Sequence, residues 1–201
     1  MKKLCFITII TFIFHSCSNN GQQSSPSPET TSAKVDSFFP VTSFLKGQMI
    51  TLDSLPITPL QLTSINGKTD SVWISKDKLK DFYLPFLTPV INETNLTKYF
   101  KENSFTDQTL NAITFTYDPI GKLPESIALR HWDVYVHPET GNVTKVYLVK
   151  QLKMSGEIVT QQLTWQSNKM AKIATILNKP DGSMSLEKEV ALIWDFSEII
   201  R

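Results

Sequence analysis

In the stretch HWDVYVH, His131, Asp133, Tyr135 and His137 alternate with Trp132, Val134 and Val136. Alternation with period two reads as a strand, and it puts the four polar residues on the face opposite Trp132. His131 and Asp133 then stand about 6.6–7 Å apart, near enough for imidazole and carboxylate to converge on a zinc ion. His137 is six residues and about 20 Å from His131 along the strand and cannot join the same site. A zinc site would need a third ligand from the facing strand, whose Lys145, Tyr147, Lys150 and Gln151 are poor ones. A solvated polar face is the expectation, with His137 entering a turn. No metal ligand is assigned.

Other chemistries find less. A nucleophile needs Ser or Cys beside a base and an orienting group, and no Gly-x-Ser-x-Gly elbow occurs. Glu187 and Glu189 fall on one strand face, but they alternate with Lys188 in the pattern of an edge strand. No glycine-rich phosphate loop is present, so neither catalytic residues nor a cofactor are assigned. The run Lys76-Asp77-Lys78-Leu79-Lys80 reads as a solvated helix face, and without a basic stripe no nucleic-acid partner is expected.

The cysteine at position 17 carries a different chemistry. Met1-Lys2-Lys3 precedes eleven uncharged residues, Leu4 to Phe14, which as a helix would rise about 16 Å, half a bilayer core. That is short for a transmembrane anchor and suits an export signal. The sequence Phe14-His15-Ser16-Cys17 resembles the lipobox of bacterial lipoproteins. Phe14 stands where Leu is usual and His15 where a small residue is usual. The resemblance implies cleavage between Ser16 and Cys17, a diacylglycerol on the Cys17 sulfur and an acylated amino group. Cleavage after Ser18 by ordinary signal peptidase and an uncleaved anchor are the competing readings. Two or three acyl chains would hold the chain stably on a membrane, where one would be marginal. In many bacterial lipoproteins an Asp after the cysteine retains the protein in the inner membrane. Ser18 stands there, so the resemblance implies the outer membrane.

Removal of residues 1–16 discards Cys5, Lys2 and Lys3, which leaves 18 of the 20 basic residues against 19 acidic ones. Cys17 is then the only cysteine, so stability must come from a core and not from disulfides. From Ser18 the chain is polar with no large apolar residue, and residues 17–35 are expected to be a lipidated cysteine and a flexible tether. Residues 36–201 suffice for a single domain.

Within that domain Phe38, Val41, Phe44 and Leu45 recur at helical spacing, with Asp36 or Ser37 to cap the helix and Gly47 to end it. Two β-rich runs follow about an Asn66-Gly67 turn. Residues 75–103 read as short helices interrupted by Pro85 and Pro89. Six period-two segments from Leu110 onward then read as successive strands. The fold class expected is α+β, an antiparallel meander of about five or six strands with short helices on one face, the face of Trp132, Trp165 and Trp194.

The functional expectation is a non-enzymatic lipoprotein of the cell envelope, anchored in lipid through Cys17 and binding a partner protein or ligand through the sheet domain. The alternatives are a carrier of lipid or other hydrophobic ligands, with the helices as a lid, and a metal-dependent hydrolase at His131 and Asp133.

Overall fold

The computed structural model describes residues 37–154 and 156–197. Ser16, Cys17, the tether and Asp36 lie outside them. Helix α1 (Val41–Ser54) leads to the hairpin β1 (Leu60–Ile65) and β2 (Lys68–Trp73), then a short 3-10 turn and helix α2 (Leu79–Leu87). Seven strands follow: β3 (Phe100–Asp107), β4 (Ala112–Pro119), β5 (Leu129–Val136), β6 (Val143–Met154), β7 (Glu157–Gln166), β8 (Met170–Asn178) and β9 (Met184–Ile193).

All nine strands form one sheet in the order β2-β1-β9-β8-β7-β6-β5-β4-β3, antiparallel at every pairing. The architecture is α+β, as expected, but the sheet is larger than the expected five or six strands. Residues 100–103, expected to be the tail of a helical segment, instead begin edge strand β3, which runs on to Asp107. Its six residues from Lys101 to Thr106 are exposed, so it carries no apolar alternation. The turn into β4 is set by Asp107, whose Oδ1 accepts the N–H of Thr109 at 2.9 Å and of Leu110 at 3.0 Å. The β1–β2 hairpin, turned through Asn66 and Gly67 at positive φ, joins the sheet beyond β9. It makes β9 an interior strand, contrary to the edge pattern read at Glu187–Glu189.

One face of the sheet carries Val134, Val146, Trp165, Ala171 and Leu192 in register across five strands, with Tyr117, Trp132, Leu148 and Leu163 beside them. These nine are fully or almost fully buried, and both helices cover them. Two aromatic groups join the layers. Trp132 stacks on Tyr117 at 4.5 Å between ring centres and meets Phe100 and Phe38 edge-on. Trp165 packs against Phe86, Tyr83 and Trp194 within 6.0 Å.

The helices depart from expectation at their ends. α1 runs through Gly47 to Ser54, because Met49 and Leu52 continue its buried stripe. Pro40 occupies the N-cap position without a side-chain bond, so Ser37 does not cap the helix, and Asp36 lies outside the described residues. α2 passes through Pro85 and stops at Leu87, the packing of Phe82, Tyr83 and Phe86 outweighing the one lost donor. Each helix has its C-terminal carbonyls closed by a lysine from elsewhere. Lys76 donates to Asp53 O at 2.7 Å and to Leu55 O. Lys150, expected on the polar face, instead points inward and donates to Pro85 O and Thr88 O. Its ammonium favours the negative end of the helix dipole, yet burial pulls its pKa down to about 8.

Two outcomes are expected in urea unfolding. Trp165→Ala costs about 3–5 kcal/mol, whereas Trp73→Ala at an exposed position costs about 1. Folded Lys150 loses its proton near pH 8, while the unfolded chain holds it to 10.5. The unfolded state then binds more protons in that window, so stability rises with pH. The stability of the protein relative to Lys150→Met should gain about 3 kcal/mol from pH 7.5 to 10.5; a flat difference would show the ammonium to be unstrained.

Candidate functional site

The opposite face is not covered by the helices, and registers define what it presents. Along one row Thr114, Tyr135, Lys145, Gln166 and Met170 stand side by side on β4 to β8. In the next row are Thr116, Asp133, Tyr147, Thr164 and Lys172. His131 and Val149 begin a third, with Asp118 beside His131.

His131 is clamped by two carboxylates. Its Nδ1 is 2.8 Å from Asp118 Oδ1 and its Nε2 is 3.0 Å from Asp133 Oδ1. The same Asp133 oxygen accepts the Thr116 hydroxyl, and Oδ2 accepts the Tyr135 hydroxyl at 3.3 Å. Asp133 is buried at 8% exposure on a face that water otherwise reaches, and this set of donors is what makes that tolerable. Burial pushes its carboxyl up, but the hydrogen bonds from His131 and Thr116 prevail and hold it below the ordinary value. The hydrogen bond to Asp133, with a smaller one to Asp118, raises His131 against the effect of burial. Burial and the Asp133 charge push Tyr135 up to about 12.

The chain of contacts continues outward. The Lys145 ammonium lies 3.6 Å from the centre of the Tyr135 ring, a cation–π pair that places the cation. Burial lowers the Lys145 pKa, opposed by the charges of Asp133 and Asp107. Beside it a depression of about 400 Å³ is lined by Asp133, Tyr135, Lys145, Tyr147, Gln166 and Lys172, among others. A second of about 410 Å³ adjoins it across Tyr135, Lys145 and Gln166.

The strand read at residues 131–137 does bring His131, Asp133 and Tyr135 onto one face, while His137 leaves it in the turn to β6, where its Nδ1 accepts the Glu139 N–H at 3.3 Å. The polar face is not simply solvated, since Asp133 is buried and His131 is only 28% exposed at its side chain. Lys150 and Gln151 do not join the site. Thr116 and Asp118 escaped sequence reasoning, although their alternation in TFTYDP is the signal of a face; the β4–β5 loop hides which residues they oppose. With both ring nitrogens held by carboxylates, His131 has no free lone pair for a metal or for a general base. No cluster of three or more metal-ligating side chains forms among the described residues. Ser16 and Cys17 lie outside them. Comparison with protein families, curated proteins and solved structures finds no match for this chain.

The imidazolium pairing stabilises the fold fully below the ordinary histidine value of 6.5 and is lost as pH rises through the higher folded value. The Asp133 contribution is present above 3.8 and is lost as pH falls through its lower folded value. Proton NMR titration of His131 should give a midpoint above 6.5. Asp133→Asn should lower that midpoint more than Asp118→Asn does, and equal effects would show that Asp133 is not the principal partner.

Proposed function

We propose that this chain is a lipid-anchored, non-enzymatic binding module of the bacterial cell envelope, which meets its ligand or partner protein on the helix-free face of the sheet. The observation that carries the reading is the joined pair of depressions over β5 to β8, lined by polar and aromatic side chains that a buried network holds in place. Binding is favoured over catalysis because the one histidine of the face has both nitrogens occupied. An internal apolar site for a carried lipid gains no support, since Trp132, Trp165, Tyr117, Phe86 and Phe100 fill the layer between sheet and helices. Attachment rests on the lipobox-like residues 14–17, with Cys17 as the acylated residue and the outer membrane as destination. Among the described residues no helix is long and apolar enough to cross a membrane.

Two measurements test the two halves. In a bacterial host, labelled palmitate should enter the protein and the membrane fraction should contain it, and Cys17→Ser should abolish both. Label retained in that variant would remove the anchor. A photo-crosslinking residue at position 164, on the open face, should yield adducts in cells, while one at position 50, exposed on α1, should not. Equal yields at both positions would refute the open face as the contact.

A further inference from the structure

The depression over β6 to β8 has a sign. Its three charged lining residues are Asp133, Lys145 and Lys172. Asp133 has both oxygens engaged, one by Thr116 and His131 and the other by Tyr135. One imidazolium is shared between Asp133 and Asp118, so the three side chains together keep one negative charge, and of the two carboxylates only Asp133 lines the recess. Lys172 keeps Glu189 at 3.2 Å, from the outer side. Lys145 forms no ion pair among the described residues, although the charges of Asp133 and Asp107 reach it; the Tyr135 ring fixes it. Between the two lysines lie Thr164 and Gln166 on β7, whose side chains make no hydrogen bond among the described residues. A positioned cation beside uncommitted hydroxyl and amide donors, in a shallow recess, is the complement of an anion.

The registers make the geometry specific. Lys145 opposes Gln166 and Lys172 opposes Thr164, so the two ammoniums flank one strand from either side. Strands β6 and β8 are about 10 Å apart across β7, a gap that two lysine side chains close from both sides. The network beneath supplies preorganisation: Asp133 orients the Tyr135 hydroxyl and Tyr135 orients Lys145, so little side-chain freedom remains to be lost on binding.

We infer that the open face binds an anionic group, a phosphate or carboxylate, seated over Thr164 and Gln166 between the Lys145 and Lys172 ammoniums. The inference rests on the open-face reading above and names its ligand chemistry.

The test is titration calorimetry of the full lipidated chain in non-ionic detergent at low salt, with inorganic phosphate, citrate and glucose as probes. Saturable binding of phosphate or citrate is expected, and the tighter of the two names the source as a phosphate- or carboxylate-bearing ligand. Lys145→Met should weaken it about tenfold, as loss of one charged hydrogen bond does, and Lys172→Met less, since Glu189 already shares that charge. Lys145→Arg should restore most of the affinity, which separates lost charge from a damaged fold. Lys153→Met, at an exposed position outside the recess, should change nothing. Absence of anion binding, binding indifferent to Lys145→Met, or binding of glucose alone would each overturn the assignment. If the anions fail while crosslinks at position 164 persist, only the ligand class is wrong; if both fail, the open-face reading falls with it.

Discussion

Among the described residues an open nine-stranded sheet has two faces and only two short α-helices to cover them, so one face must be closed by large side chains. Trp132 and Trp165 do this. They stand two strands apart, and each gathers rings from the other layer, Phe38 to the first and Tyr83 and Phe86 to the second. Small neighbours make room: Ala171 sits directly opposite Trp165 and is itself fully buried. Burying an indole this way withdraws a large apolar area from water and adds edge-on and stacked ring contacts. Both indole N–H groups are buried without a hydrogen-bond partner among the described residues, a cost that this packing must exceed. Because this face does the stabilising, the other is free to hold buried charge.

The two faces use charge in opposite ways. Inside, Lys150 is a lone cation set against carbonyl dipoles, held by geometry although burial weakens its hold on the proton. Outside, Asp133 is a buried anion with an opposite charge and two hydroxyls around it. The first arrangement ties α2 to the sheet at the point where the helix ends. The second makes a stiff row from Asp118 through His131, Asp133 and Tyr135 to Lys145, in which each side chain fixes the next. The second lies wholly on β4, β5 and β6, so it inherits the rigidity of the sheet.

The six strands from β4 to β9 were legible because water lies on one side and the core on the other, which writes period two into the chain. Strand β3 was not, because at the edge six of its eight residues are exposed, and Phe100 and Phe105 are spaced too far apart to write a period of two. Gly47 suggested a helix end, but a glycine exposed on α1 costs only about 1 kcal/mol, less than the burial of Met49 and Leu52 returns. Lys150 shares the parity of Val146 and Leu148, yet the rarity of buried lysine argues for placing it outside. The face bearing His131 and Asp133 could be read from one strand. Their partners could not, because Asp118 and Thr116 come from a strand whose register is set by a nine-residue connection, Ile120 to Ala128, with no repeating pattern.

The pairing of β1 with β9 bears on how the chain comes together. Leu60 faces Ile193 and Ile65 faces Lys188, so a strand synthesised early has its neighbour more than a hundred residues later. The meander from β3 to β8 can grow strand by strand behind the ribosome, but the β1–β2 hairpin has nowhere to dock until β9 has been made. Until then β8 is an open margin with Ala171 and Ile173 on one side, and β1 is a second one. Such margins pair with whatever strand is near. The interval before Met184 to Ile193 emerges is when this sheet is most exposed to wrong company, and the last of its nine described strands is the one that seals it.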